Sequence, residues 1–358
     1  MGPPFSPGIV KARKRVTLKE IATRAGVATG TVSMVLNHSP LVAGTTREHV
    51  RRVIAELGYV YDRGAAQMRN RRTNIVGVSI CNLVNPYFAE IAAGIEQSLE
   101  ALGRVLFLGN CGESIERQSR FLATLREYNV DGVLLMPAVG TPRKVVAQLR
   151  EWRIPVVMVS RRVSGAEADF AGNDNRLGAM LATRHLLRLG HERIAFVGLN
   201  RRTSTGRDRA AGFRAAMRQA GIDLAPERVV ACDASREEGF YAIARLLERG
   251  KPPTAVVCFN DLLAFGVMLG LRHLGIEPGR DFSVIGFDDV NEAALWWPPL
   301  TTVAVDVDAI GRAAGTLLQD RIDHPERPIE HVVLEPKLVV RSSCGAVPGR
   351  TNRRARRA

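Results

Sequence analysis

Short apolar runs that alternate with helical segments most strongly constrain the fold of this chain. Strands that alternate with helices predict a parallel sheet, and nearly continuous apolar runs are typical of strands covered on both faces. Seven such units exceed one compact sheet, so we expect two sheets with a crevice between them. The runs are IVGVSI (75–80), VLFLG (105–109), GVLLM (132–136), PVVMVS (155–160), IAFVG (194–198), AVVCF (255–259) and FSVIGF (282–287), and the helical segments lie near 86–102, 115–128, 175–190, 207–220, 236–249 and 260–274.

A different pattern, TLKEIATRAGVATGTVSMVLN, occupies residues 17–37. Its first half has helical spacing of apolar residues, at Leu18, Ile21, Ala22 and Ala25. Gly26 permits a sharp turn, and Thr29 begins a second helix whose outward face is small and hydroxylic. A slim helix of this kind fits the DNA major groove, so the segment predicts a helix-turn-helix motif. The alternative is an ordinary pair of helices in a bundle.

A third helix is expected from about Thr46 to Leu57, with Thr45 or Thr46 as its N-cap and Gly58 at its end. Its apolar face carries Val50, Val53, Ile54 and Leu57. Three short helices enclose only a small core. We therefore predict a small all-α head, marginal alone, before the α/β body.

The excess positive charge lies at the two ends of the chain and not in its middle. The total is +14; residues 1–72 hold 13 Lys/Arg and 4 Asp/Glu, and residues 349–358 hold five Arg and no acid, so the residues between are neutral. A basic appendage on a neutral body favours a polyanion partner for the head. For the tail, a solvated disordered end explains the charge better.

Other patterns exclude whole function classes. No apolar run is long enough for a membrane span or a secretory signal. The five scattered cysteines favour reduced thiols in a cytoplasmic protein over a disulfide framework or zinc site. Phosphate-binding glycine loops and the HExxH and GxSxG motifs do not occur, so we expect neither cofactor nor enzyme activity.

Several ordered motifs resemble the lac repressor family of bacterial transcription regulators over roughly residues 16–343. They are VTLKEIATRAGVATGTVSMVLN, TREHVRRVIAELGYV, NPYFAEIAAGIEQSLEALG, HLLRLGHERIAFVG, RDRAAGFRAAM, FNDLLAFGVMLGLRHLGI and FSVIGFDDVNEAALWWPPLTTV. The resemblance implies two doubly wound Rossmann-like subdomains, similar to periplasmic sugar-binding proteins. It also implies a homodimer that binds a near-palindromic double-stranded DNA operator, most simply as a repressor. A small-molecule effector between the subdomains, a sugar or sugar derivative, would control it.

The resemblance divides the chain into five parts. Residues 1–15 form a disordered basic arm, 16–60 the helix-turn-helix domain, 61–72 the hinge, 73–343 the effector-binding and dimerisation domain, and 344–358 a disordered basic tail. Within the body, the first subdomain is expected at about 73–171 plus 291–322, and the second at about 172–290 plus 323–343. The place of action would be the cytoplasm, at the nucleoid.

On the DNA side, the resemblance assigns specificity to Thr29 and Gly30 and phosphate contacts to hydroxylic or amide side chains. Met34 departs from the base-reading arginine of many members, which removes a bidentate guanine contact. Met68 matches the hinge residue that wedges into a minor-groove base step. The remaining expected DNA contacts are Thr17, Leu18, Thr31, Ser33, Asn37, Thr46, Arg63 and Ala65. For Thr17, Thr31, Ser33, Asn37 and Thr46, the alternative is local helix capping.

On the effector side, Asp288 and Asn260 follow strands, where ligands of open α/β sheets bind. Arg209 matches a family effector arginine, and the three could hydrogen-bond a polyhydroxy or anionic ligand. Phe88 could stack on a sugar ring, and Ser160 and Arg161 end a strand where members often have an aspartate before the arginine. Helix capping, ion pairing and core packing are the alternatives for Asn260, Asp288 and Phe88.

Two other function classes compete with a regulator. A solute-binding transport protein would share the body, but the helix-turn-helix pattern opposes it. An enzyme on a doubly wound fold would need a nucleotide loop or catalytic cluster, and the sequence has none.

Overall fold

The structure is a computed structural model. It describes residues 16–36, 39–59, 72–248 and 250–347. The chain divides into two compact units, Met1–Arg72 and Thr73–Ala358, which we call the head and the body.

The described residues of the head form the three predicted helices, α1 (Leu18–Ala25), α2 (Thr29–Leu36) and α3 (Gly44–Glu56). A capping box at Thr17 begins α1, and Gly26, with φ 63°, ends it. The small apolar core includes Ile21, Val32 and Val50. The predicted N-cap of α3 is wrong, because Ala43 precedes that helix without a side-chain cap. Thr45 and Thr46 therefore lie inside its first turn.

The body contains two six-stranded sheets. The first has the order β2-β1-β3-β4-β5-β11, with all pairs parallel. Its strands are β1 (Ile75–Ile80), β2 (Val105–Asn110), β3 (Gly132–Leu135), β4 (Val156–Val159), β5 (Asp169–Asn173) and β11 (His331–Leu334); its helices are α4 (Pro86–Glu100), α5 (Ile115–Glu127), α6 (Arg143–Glu151) and α12 (Val307–Asp323). These elements form the first lobe.

The second sheet repeats this topology. Its order is β7-β6-β8-β9-β10-β12, parallel except for the antiparallel edge strand β12. Its strands are β6 (Ile194–Val197), β7 (Val229–Val230), β8 (Ala255–Cys258), β9 (Ser283–Asp288), β10 (Thr301–Ala304) and β12 (Lys337–Val339); its helices are α7 (Asn175–Arg188), α8 (Ser204–Gln219), α9 (Arg236–Leu247), α10 (Asp261–His273) and α11 (Glu292–Leu295). These elements form the second lobe. The predicted two doubly wound sheets are confirmed.

The chain crosses between the lobes three times, after β5, after β10 and after β11. The expected subdomain limits differ from this arrangement in two places. Residues 291–304 belong to the second lobe, because β10 pairs with β9. Residues 323–334 belong to the first, because β11 pairs with β5.

The ordered body also extends past the predicted start of the tail at residue 344. The ring nitrogen Nε2 of His191 lies 3.0 Å from the Gly345 carbonyl oxygen, and the Val347 amide donates to Leu189. The predicted arm 1–15 and the rest of the tail lie outside the described residues. Within the ranges that the structure covers, no helix is long and apolar enough to cross a membrane.

Candidate functional site

A cavity of about 50 Å³ lies between the two lobes, beyond the carboxyl ends of their strands. We call it the cleft. Three of the predicted effector residues, Phe88, Ser160 and Arg161, line it from the first lobe. The other three, Arg209, Asn260 and Asp288, line it from the second lobe. The structure therefore brings together all six side chains at one place.

Arg209 is the most firmly held side chain in the cleft. Its Nε donates to Asn175 Oδ1 at 2.7 Å, Nη1 donates to the Phe259 carbonyl, and Nη2 lies 3.2 Å from Asp288 Oδ1. Its guanidinium also lies 3.5 Å from the centroid of the Phe287 ring. These contacts fix a buried cation where it can orient a polar ligand.

Asp288 faces Arg209 and is buried. Burial raises its pKa from 3.8 to about 6, although the charge of Arg209 opposes the shift. Its backbone has φ 113°, which non-glycine residues rarely adopt. Such strain costs about 1–3 kcal/mol and is concentrated at binding sites. The ion pair predicted as the alternative for Asp288 is present.

Ser160 and Arg161 form the opposite wall. Ser160 has φ 64°, and its hydroxyl lies 3.0 Å from that of Tyr87, whose pKa burial raises to about 12. Arg161 is buried, and its Nη1 lies 3.0 Å from both carboxylate oxygens of Glu113. This wall therefore presents neutral hydroxyls beside a paired cation.

Asn260 and Phe88 line the cleft and also have the structural roles foreseen as alternatives. The Asn260 side chain caps α10 by accepting from the Leu263 amide at 3.0 Å. Phe88 is 5% exposed and packs edge to face on Tyr87, with 5.1 Å between ring centroids. Neither role prevents contact with a ligand.

Sequence reasoning missed several lining residues. Those with polar or aromatic side chains are Asn82, Asn85, Tyr87, Glu113, Thr205 and Phe259. The NPY sequence at the start of α4, shortly after β1, gave a signal for Asn85 and Tyr87, since Asn85 caps α4. Glu113 became recognisable only through its contact with Arg161. Ligand pockets usually enclose about 300–1,000 Å³, and the cleft by itself, at about 50 Å³, is smaller than that.

In the head, α2 is the helix whose outward face was predicted to contact DNA. Thr29, Gly30 and Met34 are exposed on α2, while Thr31 and Ser33 are half-buried. A side chain at Gly30 would meet no atom within 4 Å, so packing of the head does not require glycine there. Thr17 caps α1, which is its alternative role; Leu18 packs against the core, and Thr46 is half-buried. Asn37, Arg63, Ala65 and Met68 lie outside the described residues.

The head and the body both match domains of known proteins. Residues 17–62 match the model "Bacterial regulatory proteins, lacI family", and residues 183–344 match a periplasmic binding protein-like domain. The HTH-type transcriptional repressor PurR of Erwinia tasmaniensis is 36% identical over 340 residues, covering 94% of this chain and 99% of its own. The chain belongs to the lacI family of bacterial regulatory proteins.

Solved structures of this family agree with the fold. A lac repressor dimer bound to operator and the anti-inducer ONPF is 27% identical, with a TM-score of 0.82 over 93% of this chain and 100% of that one. A CelR–cellobiose complex is 33% identical, with a TM-score of 0.71 over 92% of this chain and 100% of its own. Membership confirms the predicted class, a DNA-binding transcriptional regulator controlled by a small-molecule effector, over the transport-protein and enzyme alternatives.

Proposed function

We propose that the protein is a homodimeric repressor whose operator affinity is set by an effector bound in the cleft. One observation carries the effector assignment: six residues chosen for ligand chemistry converge on one cavity, three from each lobe. A ligand held from both sides favours one relative position of the lobes. The difference in affinity between two lobe positions is the free energy available for control.

The cleft chemistry fits a polar ligand with hydroxyl groups. The Asp288 carboxylate accepts hydrogen bonds, the Arg209 guanidinium donates them, and the Ser160 and Tyr87 hydroxyls do either. Phe88 supplies an apolar face. The cellobiose and ribose named with two solved relatives make a sugar or sugar derivative the first class to test.

A homodimer is supported by apolar side chains left exposed on the body. The edge strand β2 exposes Val105 and Leu108 by 42% and 47%, and the neighbouring Val84 is 84% exposed. In the second lobe, Leu269 and Leu274 are exposed near the end of α10. Exposed apolar groups along an edge strand favour association, and the lac repressor was solved as a dimer.

DNA contact is assigned to the exposed face of α2, with Thr29 and Gly30 at its start, to Thr31, Ser33 and Met34 beyond them, and to the flanking positions. Phosphate contacts dominate, because Gly30 has no side chain and Met34 offers only an apolar contact. Leu18 and Thr46 are secondary contacts. A regulator of this kind acts in the cytoplasm, at the nucleoid.

A mobility shift of the full chain with its own upstream DNA, at low salt, tests operator binding. A thermal-shift screen of sugars, sugar phosphates and nucleobases then identifies effectors, since a ligand that binds only the folded state raises its melting temperature. Each hit is retested on Arg209→Met and on Arg218→Met, a control on the exposed surface of the same helix. Lack of specific DNA binding would refute the regulator. A hit bound equally by Arg209→Met would refute the cleft assignment.

A further inference from the structure

A second cavity of about 270 Å³ adjoins the cleft and shares Arg161 with it. We call it the arginine pocket. Arginines from both lobes line it: Arg143, Arg161 and Arg162 from the first, and Arg202 and Arg207 from the second. Arg161 is buried and the other four are exposed, so the five guanidinium groups give the pocket a positive potential that salt partly screens.

Carboxylates offset only part of this charge. Arg161 pairs with Glu113 at 3.0 Å, and Arg162 pairs with Asp208 at 3.1 Å. Arg207 donates to neutral partners, the Ser164 hydroxyl and the Arg201 carbonyl. In the part of the chain that the structure describes, no carboxylate pairs with Arg143 or Arg202. The pocket therefore carries about three uncompensated positive charges.

One residue that lines this pocket holds a buried donor without a partner among the described residues. Arg161 is 7% exposed, and its Nε has no hydrogen-bond partner among the described residues. A buried donor of this kind is costly unless it finds an acceptor. Because Arg161 lines both cavities, an acceptor there would touch the arginine pocket and the cleft together.

Two helices begin at the pocket. α6 starts at Arg143 after Pro142, with no side-chain cap, and α8 starts at Ser204 after Thr203. Neither helix has an acidic residue in its first turn. Helix N-termini attract anions, whereas Arg143 in a first turn adds to the positive end of the dipole.

The pocket also joins the lobes. The Arg162 amide donates to Ser204 Oγ at 2.9 Å, and the Arg202 guanidinium lies so close to Gly140 that a Cβ there would be 2.5 Å from Nη2. Arginines of both lobes thus line the boundary between the lobes. An anion between them would replace repulsion with attraction and draw the lobes together.

We propose that the arginine pocket binds the phosphate group of a phosphorylated effector, whose remaining part lies in the cleft. This inference rests on the proposed effector control and specifies the ligand class. Arginine forks match phosphate oxygens in pairs, and the shared Arg161 connects the two parts of the ligand. The phosphate would bridge both lobes and favour the closed cleft.

The first test measures binding of inorganic phosphate to the full chain by calorimetry at low chloride. The pocket variant is Arg143→Ala/Arg202→Ala, which leaves every described ion pair intact. The control variant is Arg188→Ala/Arg218→Ala, which removes the same charge from exposed positions. We expect the pocket variant to bind phosphate at least about tenfold more weakly, since it loses two arginines that can form charge-assisted hydrogen bonds to phosphate oxygens. Equal affinity in the two variants, or no binding to the wild type, would overturn the proposal.

The second test pairs each sugar with its phosphate ester, for example ribose with ribose 5-phosphate, and measures operator binding. We expect that only phosphorylated members act on the wild type and that the pocket variant binds operator but ignores them. If neutral sugars act equally on the wild type and the pocket variant, the phosphate proposal fails while effector control stands. If neither the wild type nor the pocket variant binds operator, the regulator proposal fails instead. The calorimetry then still shows whether the arginine pocket binds phosphate.

Discussion

Replacing Asp288 with Asn tests whether the cleft sacrifices stability for binding. The substitution preserves shape and removes one charge from a pair whose side chains are each 4% exposed. Two effects oppose each other. Loss of one partner from a buried ion pair usually destabilises by about 3–5 kcal/mol. Loss of a carboxylate that is costly to ionise in the folded state stabilises instead.

The pKa of Asp288 decides between these effects, because it already contains both burial and the attraction of Arg209. It rises from 3.8 to about 6, and each pH unit corresponds to about 1.4 kcal/mol. Ionised Asp288 therefore destabilises the folded state by up to ~3 kcal/mol at neutral pH. Arg209 keeps Asn175 and the Phe259 carbonyl as acceptors. We expect Asp288→Asn to raise the free energy of unfolding by about 1–3 kcal/mol at pH 7.5.

The pH dependence has a definite sign. Between about pH 4 and 6 the folded state holds a proton that the unfolded state has released, so wild-type stability falls as the pH rises through this window and then levels off. The advantage of the variant should therefore grow between about pH 4 and 6, be complete above pH 6 and be absent below pH 4. Denaturant unfolding of the full chain at pH 4 and 7.5 measures it, with Asp208→Asn, in a half-exposed pair, as the near-neutral control. A variant that is less stable than wild type at pH 7.5 would refute the reasoning, and retained effector binding would remove Asp288 from the site.

Three further predictions concern the DNA side. Thr17→Ala should destabilise the head by about 1 kcal/mol through loss of the capping box; unchanged melting of the head would contradict this. Operator affinity should fall steeply with salt, with a log–log slope near −0.9 per neutralised phosphate, so a dissociation constant independent of salt would exclude phosphate-dominated binding. Met68→Gly should weaken operator binding with no change in thermal unfolding of the body, and equal affinity would remove the proposed wedge.

The sequence was sufficient to predict those helices and strands in which the buried residues follow a regular apolar pattern. All seven apolar runs form strands, and six of them are buried inside the sheets, where strands covered on both faces need continuous apolar residues. The seventh, β2, lies at the edge of its sheet and is partly exposed. Five other strands were not predicted, since all are only two to five residues long and all except β7 carry polar side chains. In β5, Asp169 is buried because Arg321 and Arg327 pair with it from distant parts of the chain. No local pattern contains that information.

In the candidate site, too, residues marked by a local pattern were predicted, and residues brought together from distant parts of the chain were not. Asn260 and Asp288 were found because the end of a strand can be located in the sequence. Sequence reasoning did not identify Arg143 and Arg202 as site residues. In the sequence 58 residues lie between them, and only the packing of the lobes brings both side chains to one pocket. The backbone strain at Ser160 and Asp288 is equally invisible in the residue names.

The three crossings between the lobes have a consequence for biosynthesis. The first sheet is completed only by β11, which leaves the ribosome after almost the whole second lobe. Synthesis proceeds at about 5–20 residues per second. The edge of β5 that later pairs with β11 therefore stays unpaired for on the order of ten seconds or more. The head is synthesised first and closes its own small core within its own unit. Its DNA-reading surface can thus form before the ligand-sensing part of the same polypeptide exists.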